Sequence, residues 1–166
     1  MIKTCMLQSY LDQRGEVYPS WTKRGGAIGE HIELVEDRFS RSTKGVIRGF
    51  HGDPLTWKLC MCVYGSLKLV AWDIKNSKRY SFVIRDDSKT QVLIPPYYLN
   101  AHQCLTKECI LHYKWSHPYS LENQWSVHYN DSTINPQWSL SDSIISERDK
   151  DAVSLETFLE ELHGGS

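Results

Sequence analysis

The stretch Trp57-Lys-Leu-Cys-Met-Cys-Val-Tyr64, Gly65-Ser66, Leu67-Lys-Leu-Val-Ala-Trp-Asp-Ile74 decides the fold class. Two apolar runs, rich in β-branched and aromatic residues, flank a two-residue turn, which is the pattern of paired strands. The same grammar continues downstream. A polar turn at Lys75–Lys78 leads into Tyr80-Ser-Phe-Val-Ile-Arg85, and Asp86-Asp-Ser88 leads into Thr90-Gln-Val-Leu-Ile94, stopped by Pro95-Pro96. Glu108-Cys-Ile-Leu-His-Tyr-Lys-Trp115 follows after another short loop. Short strands with turn signals at near-regular spacing predict an all-β sandwich or barrel. Within 67–74 the two parities are both largely apolar: Lys68, Val70 and Trp72 on one, Leu67, Leu69, Ala71 and Asp73 on the other. The amphipathicity of this strand is therefore mixed rather than clean.

The rest of the chain agrees with one domain. It has 166 residues, 40% hydrophobic and 23% charged, with 6 Trp, 9 Tyr and 4 Phe. That length buries a core without disulfide or metal staples. A net charge of −1 offers no basic excess for displacing counterions, so no nucleic-acid partner is expected. No apolar run is long enough to span a bilayer, and the N-terminal MIKTCMLQSYLDQRGE has no apolar core of a secretory signal. The five cysteines, Cys5, Cys60, Cys62, Cys104 and Cys109, lack metal-finger or redox spacing. They read as small hydrophobes in a reduced, cytoplasmic protein, with Cys60 and Cys62 on one strand face. One helix stands out: Leu155, Phe158, Leu159 and Leu162 are at helical spacing after Ser154, an imperfect capping box with Thr157 at the third place. The domain is read as 1–162, with 163–166 a flexible tail of added residues.

Three chemistries are weighed. Metal binding needs gathered ligands, but His51 is followed by Gly52-Asp53, not His-x-His, and His112 and His117 are five apart. No metal and no other cofactor is expected. Phosphate binding is suggested by Arg48 and His51 beside Gly45 and Gly49, yet no strand–loop–helix context makes a P-loop. The plainer reading of Arg48 is a strand-end arginine paired with a surface carboxylate, and spacing alone favours it. Acid–base work is open to His51, Lys58, His102, Tyr119 and Asp149, whose spacing does not prove that they converge.

Ser40-Arg-Ser-Thr-Lys-Gly-Val-Ile-Arg-Gly-Phe-His51 resembles the signature Ser-x-Ser-x-x-Gly-Val-Leu-Arg-Gly-Leu-His of the dTDP-4-dehydrorhamnose 3,5-epimerases and their relatives. Other segments follow in family order: Asp12-Gln-Arg-Gly15, Trp57-Lys58-Leu59, Asp73 with Ser77 and Tyr80, and Ile94-Pro95 through His102. Tyr113-Lys114 to Tyr119, Asn130-Asp131, Trp138 and Ile145-Ser-Glu-Arg-Asp149 complete it, so the resemblance spans roughly residues 8 to 158.

The resemblance implies a cupin-type jelly roll, a homodimer with exchanged N-terminal strands, and a metal-free epimerase acting on a nucleotide-diphosphate sugar. By position, His51 resembles the base, Asp149 its carboxylate partner, Tyr119 the opposing acid, and Lys58 the group beside the C4 ketone. Arg14, Arg38, Arg48, His102 and Arg148 resemble substrate contacts. The implied chemistry suits them. A 4-keto group acidifies the neighbouring C–H, a carboxylate-oriented imidazole removes that proton, and reprotonation from the other face inverts the centre. Departures lie at Glu36-Asp-Arg38, Gly52-Asp53 and Pro96-Tyr-Tyr-Leu-Asn100; His51-Gly-Asp53, Thr56-Trp-Lys-Leu59, Cys62-Val-Tyr-Gly65 and the Pro95-to-His102 loop look closer to the branch acting on GDP-4-keto-heptoses. Two readings compete: a same-fold 3,4-ketoisomerase, and a non-catalytic sugar-nucleotide-binding cupin.

Overall fold

The computed structural model describes residues 1–22 and 31–164. In chain order the strands are β1 (Lys3–Met6), β2 (Tyr10–Asp12), β3 (Gly15–Val17), β4 (Glu36–Thr43), β5 (Ile47–Gly52) and β6 (Lys58–Tyr64). They continue as β7 (Ser66–Asp73), β8 (Lys78–Arg85), β9 (Thr90–Ile94), β10 (Tyr98–Cys104), β11 (Glu108–Trp115) and β12 (Trp125–Ser126). Helices α1 (Glu147–Lys150) and α2 (Leu155–Gly164) close the described chain.

One five-stranded sheet runs β1-β9-β6-β11-β4 and the other β12-β5-β10-β7-β8, while β2 and β3 form a separate hairpin. Strands β4 to β11 therefore alternate as 4-11-6-9 in one sheet and 5-10-7-8 in the other. That strand order is the double Greek key of a jelly roll, the cupin-type architecture the sequence predicts. Gly65, at φ +72°, makes the crossing from β6 to β7, and a Cβ there would lie 2.3 Å from the Glu108 carbonyl oxygen.

Leu67, Leu69 and Ala71 of β7 meet Cys60, Cys62, Val92, Ile94 and Leu111 between the sheets. The opposite face of β7 is buried as well, because Val70 and Trp72 pack with Phe50, Leu99, Ile134, Leu155 and Phe158. The mixed parity of 67–74 thus has a physical cause: C-terminal chain covers the outer face of this sheet. Asp131 fixes that cover by accepting the backbone N–H of Thr133, Ile134 and Leu155, each at 2.9 Å. All five cysteines are free thiols, and four of them are buried.

Helix α2 begins as the capping pattern predicts, with the Thr157 N–H donating to Ser154 Oγ at 3.1 Å. It runs to Gly164, so His163 and Gly164 belong to its last turn rather than to a tail; Gly165 and Ser166 lie outside the described residues. Strand β10, where the sequence reading has only a short loop between Ile94 and Glu108, and helix α1 are elements that reading lacked. Gln103, fully buried on β10, accepts the N–H groups of Ser139 and Leu140 and donates to the Leu140 carbonyl. Ile144 then exchanges backbone hydrogen bonds with Gly45 and Ile47. These tethers carry the chain along β5 and deliver α1 to the open end of the sandwich.

Candidate active site

A cavity of about 380 Å³ opens at the end of the sandwich where the apolar filling stops. That size is in the range of small-ligand sites. One sheet contributes Arg38, Lys58, Cys60, Leu111, Tyr113 and Trp115, and the other Arg48, His51, Asn100 and His102. Loop residues Tyr119 and Gln124 and the α1 region, with Ser146, Arg148 and Asp149, complete the wall.

Strand β5 carries the central feature. Arg48 and His51 are three apart, and in a regular strand they would face opposite sides. Opposite them, His102 pairs with Arg48 and Asn100 pairs with His51, so that two residues, 49 and 50, face the single residue 101. The extra residue is a β-bulge, and it turns both side chains into one cavity. Gly49 occupies it at φ +114°, where a Cβ would lie 2.5 Å from the Asn100 carbonyl oxygen. Phe50 is thereby sent into the apolar cluster on the other face.

His51 Nε2 and Asp149 Oδ1 are 2.7 Å apart, and Asp149 Oδ2 accepts the Gly49 N–H at 3.2 Å. Asp149 is buried within a one-turn helix whose N-cap Ser146 accepts the Asp149 N–H at 3.2 Å. Burial pushes the Asp149 carboxyl up, but the His51 hydrogen bond and charge, Gly49 and Ser146 outweigh it and hold it below the usual range. An ionised carboxylate on one ring nitrogen fixes the ring's orientation and stabilises the imidazolium formed when it takes a proton.

Lys58 is buried and donates to Asn100 Oδ1 at 3.1 Å, with Asp53 Oδ2 at 3.9 Å and the Trp115 ring centre at 5.2 Å. Burial lowers its pKa, and the Asp53 and Cys60 charges pull the other way. Asp53 Oδ1 is occupied by the N–H groups of Leu55 and Thr56, an Asx turn that shapes the loop before β6. His102 is fully enclosed and its Nε2 has no protein partner; burial first, then the Arg48 and His51 charges, lower its pKa to about 3. The imidazole is therefore neutral at ordinary pH.

Tyr119 lines the cavity from the loop after β11, in the sheet opposite β5, and is 39% exposed. Arg148 donates to Ser126 Oγ at 2.9 Å. Arg48 donates to Ser42 Oγ at 3.1 Å and to the Arg41 carbonyl at 3.3 Å, so it is a cavity residue and not the partner of a surface carboxylate. Arg14 is the residue not brought here: its side chain is 90% exposed on the β2–β3 hairpin, bound to Asp12. His112 faces away, bonded to Asp37 at 2.8 Å and stacked on Phe39. Among the described residues, no three His, Cys, Asp or Glu side chains are grouped as metal ligands.

Sequence reasoning missed Asn100, Trp115 and Gln124, and held Tyr113 only as an alternative donor to Tyr119. Tyr113 and Trp115 share the inward parity of Leu111 on β11, and that period-two pattern is a signal for them. Ser146-Glu-Arg-Asp149 fits the Ser-x-x-Asp helix-start pattern, and that was a signal for α1.

A jelly roll with a carboxylate-held imidazole on one strand and a loop tyrosine lining the same polar cavity defines a cupin-type protein with groups suited to proton transfer. The chain belongs to the dTDP-4-dehydrorhamnose 3,5-epimerase family, whose model matches residues 2–157. It is 31% identical over 148 residues to the dTDP-4-dehydrorhamnose 3,5-epimerase of Shigella flexneri, covering 83% of this chain and 82% of that one. The crystal structure of the dTDP-6-deoxy-D-glucose-3,5-epimerase of Legionella pneumophila, in complex with dTDP-4-keto-L-rhamnose, superposes with TM-score 0.90. It is 28% identical, over 97% of this chain and 91% of that one. A 3'-monoepimerase from Streptomyces bikiniensis, at 22% identity, shares the fold with TM-score 0.87 over 98% of this chain and 87% of its own.

Proposed function

We propose that this protein epimerises a nucleotide-linked 4-keto sugar at C3, C5 or both. The observation that carries the reading is a pair of proton-handling groups lining one cavity: His51 on β5, oriented by Asp149, and Tyr119 on the loop after β11. His51 takes the proton α to the C4 ketone. The charge that develops on the ketone oxygen is met by Lys58, which burial makes an effective electrostatic partner. Tyr119 returns a proton to the opposite face, so the carbon inverts. Arg48, Arg148 and the neutral His102 hold the diphosphate and sugar. The arginines supply the forked donors that phosphate oxygens accept.

The likeness of His51-Gly-Asp53 and of the Pro95-to-His102 loop to GDP-4-keto-heptose enzymes supports a guanosine-linked substrate beside the thymidine-linked one named for the relatives. A homodimer with exchanged N-terminal strands is the route by which Arg14 reaches a neighbour's diphosphate. Incubation with dTDP- and GDP-linked 4-keto-6-deoxy sugars in D2O tests the reading: mass gain at C3 or C5 with inverted product is expected. Migration of the ketone to C3 identifies the isomerase instead, and binding without exchange identifies a non-catalytic module. Activity is expected to persist through exhaustive chelation, because the residues gathered here are suited to proton transfer.

A further inference from the structure

Tyr119 stands on a loop, and a loop side chain is a poor proton donor unless something fixes it opposite its carbon. Two neighbours on edge strand β4 do this. Glu36 Oε2 accepts the Tyr119 backbone N–H at 2.8 Å. The Arg38 guanidinium lies 4.5 Å from the Tyr119 ring centre and 4.8 Å from that of Trp115. Glu36 Oε1 is 3.3 Å from Arg38 Nε, so carboxylate and guanidinium brace each other. The two residues share a strand face, and β4 is locked to β11 by eight consecutive register pairs, with Glu36 opposite Trp115 and Arg38 opposite Tyr113. The brace is therefore anchored in the sheet that also carries the cavity wall.

We propose that Glu36 and Arg38 are positioning residues for Tyr119, with Glu36 holding its backbone and Arg38 its ring. The proposal rests on the assignment of Tyr119 as the proton donor. It gives Arg38 a different task from the diphosphate contact implied by its sequence position. The two tasks separate experimentally. Loss of a substrate contact raises KM and slows exchange and inversion together. Loss of a brace on Tyr119 leaves His51 able to remove the proton, exchange it with solvent and return it to the same face.

The experiment measures deuterium incorporation and inverted product in D2O on a turned-over 4-keto nucleotide sugar, for the native chain, Arg38→Met, Arg38→Lys, Glu36→Gln and Tyr119→Phe. Arg38→Met is expected to lower the ratio of inversion to exchange about tenfold, short of the roughly 10²- to 10⁴-fold of an acid–base group lost outright. KM is expected to change less than kcat for inversion. Arg38→Lys, which keeps the cation, is expected to recover part of the ratio, and Glu36→Gln, which keeps an acceptor for the Tyr119 N–H, to fall between it and the native chain. A native ratio in Arg38→Met and Glu36→Gln, with only KM raised, overturns the proposal and leaves Tyr119 as the donor. A native ratio in Tyr119→Phe overturns the donor assignment itself, and the brace with it.

Discussion

At the scale of single residues, the site is a set of charges placed so that each has one task. Asp149 is ionised and bonded to His51, so Asp149→Asn keeps the shape and removes the charge that stabilises the imidazolium. Its turnover is expected to fall about 10²- to 10⁴-fold with the fold intact, as circular dichroism would report. His51→Asn is expected to abolish solvent exchange altogether, whereas Tyr119→Phe keeps exchange and loses most inverted product; equal loss of both in Tyr119→Phe argues against the division of labour. Asp53 offers a cleaner electrostatic test. Its carboxylate, 3.9 Å from Lys58, opposes the lowering of the Lys58 pKa by burial. Asp53→Asn keeps an acceptor for the Leu55 and Thr56 N–H groups but drops the charge, so Lys58 loses its proton at lower pH. The alkaline limb of kcat/KM is then expected to move to lower pH while the acid limb stays; an unmoved alkaline limb counts against Lys58 as the cationic group. Residue identities were legible in the sequence through the order of the family-like segments. Their convergence was not, since a number in a chain carries no information about which strands lie across a cavity.

At the scale of elements, legibility followed the source of the signal. Thr90–Ile94 and Glu108–Trp115 are strands with the bounds their composition and flanking turns predict. Lys58–Tyr64 differs by a residue at one end and Ser66–Asp73 by a residue at each end. Local chemistry decides such segments. The bulge at Gly49 was not legible in that way, and of α1 only its Ser-x-x-Asp start was, because the placement of both comes from tethers to distant chain: β10 across from β5, and Gln103 and Gly45 against 139–144. These two irregular elements are also the ones that create the His51–Asp149 pair. Ser146→Ala removes the side-chain cap of α1 and is expected to cost about 1 kcal/mol of stability. Its larger effect is on turnover, since Asp149 is the third residue of that helix. A denaturant midpoint and a kcat measured on the same variant separate the two, and a loss of stability without loss of turnover shows that Asp149 is held well enough by Gly49 and His51.

At the scale of the whole molecule, the jelly roll holds an uncharged histidine in a nest of basic groups, and that arrangement has a cost in acid. His102 has a pKa of about 3 in the folded chain against an ordinary 6.5, because it is enclosed and faces the charges of Arg48 and His51. Between those two values an unfolded chain takes up a proton that the folded one refuses. Stability therefore falls as pH drops from about 6.5 towards 3, by up to about 1.4 kcal/mol per pH unit from this site. Asp149, whose carboxyl is held low in the fold, adds to the loss in the same direction once the pH nears the ordinary carboxylate range. His102→Gln removes the titrating group but keeps a polar side chain at the cavity wall. It is expected to be less stable than the native chain near neutral pH, through imperfect packing, and to lose less stability on acidification. Urea midpoints at intervals between pH 4 and pH 7 read the difference: the gap between the two proteins narrows, and can reverse, as the pH falls. Parallel curves would mean that the fold opens enough to protonate His102 at little cost, and the cavity would then present a cation beside Arg48 where the proposed chemistry needs a neutral hydrogen-bonding group.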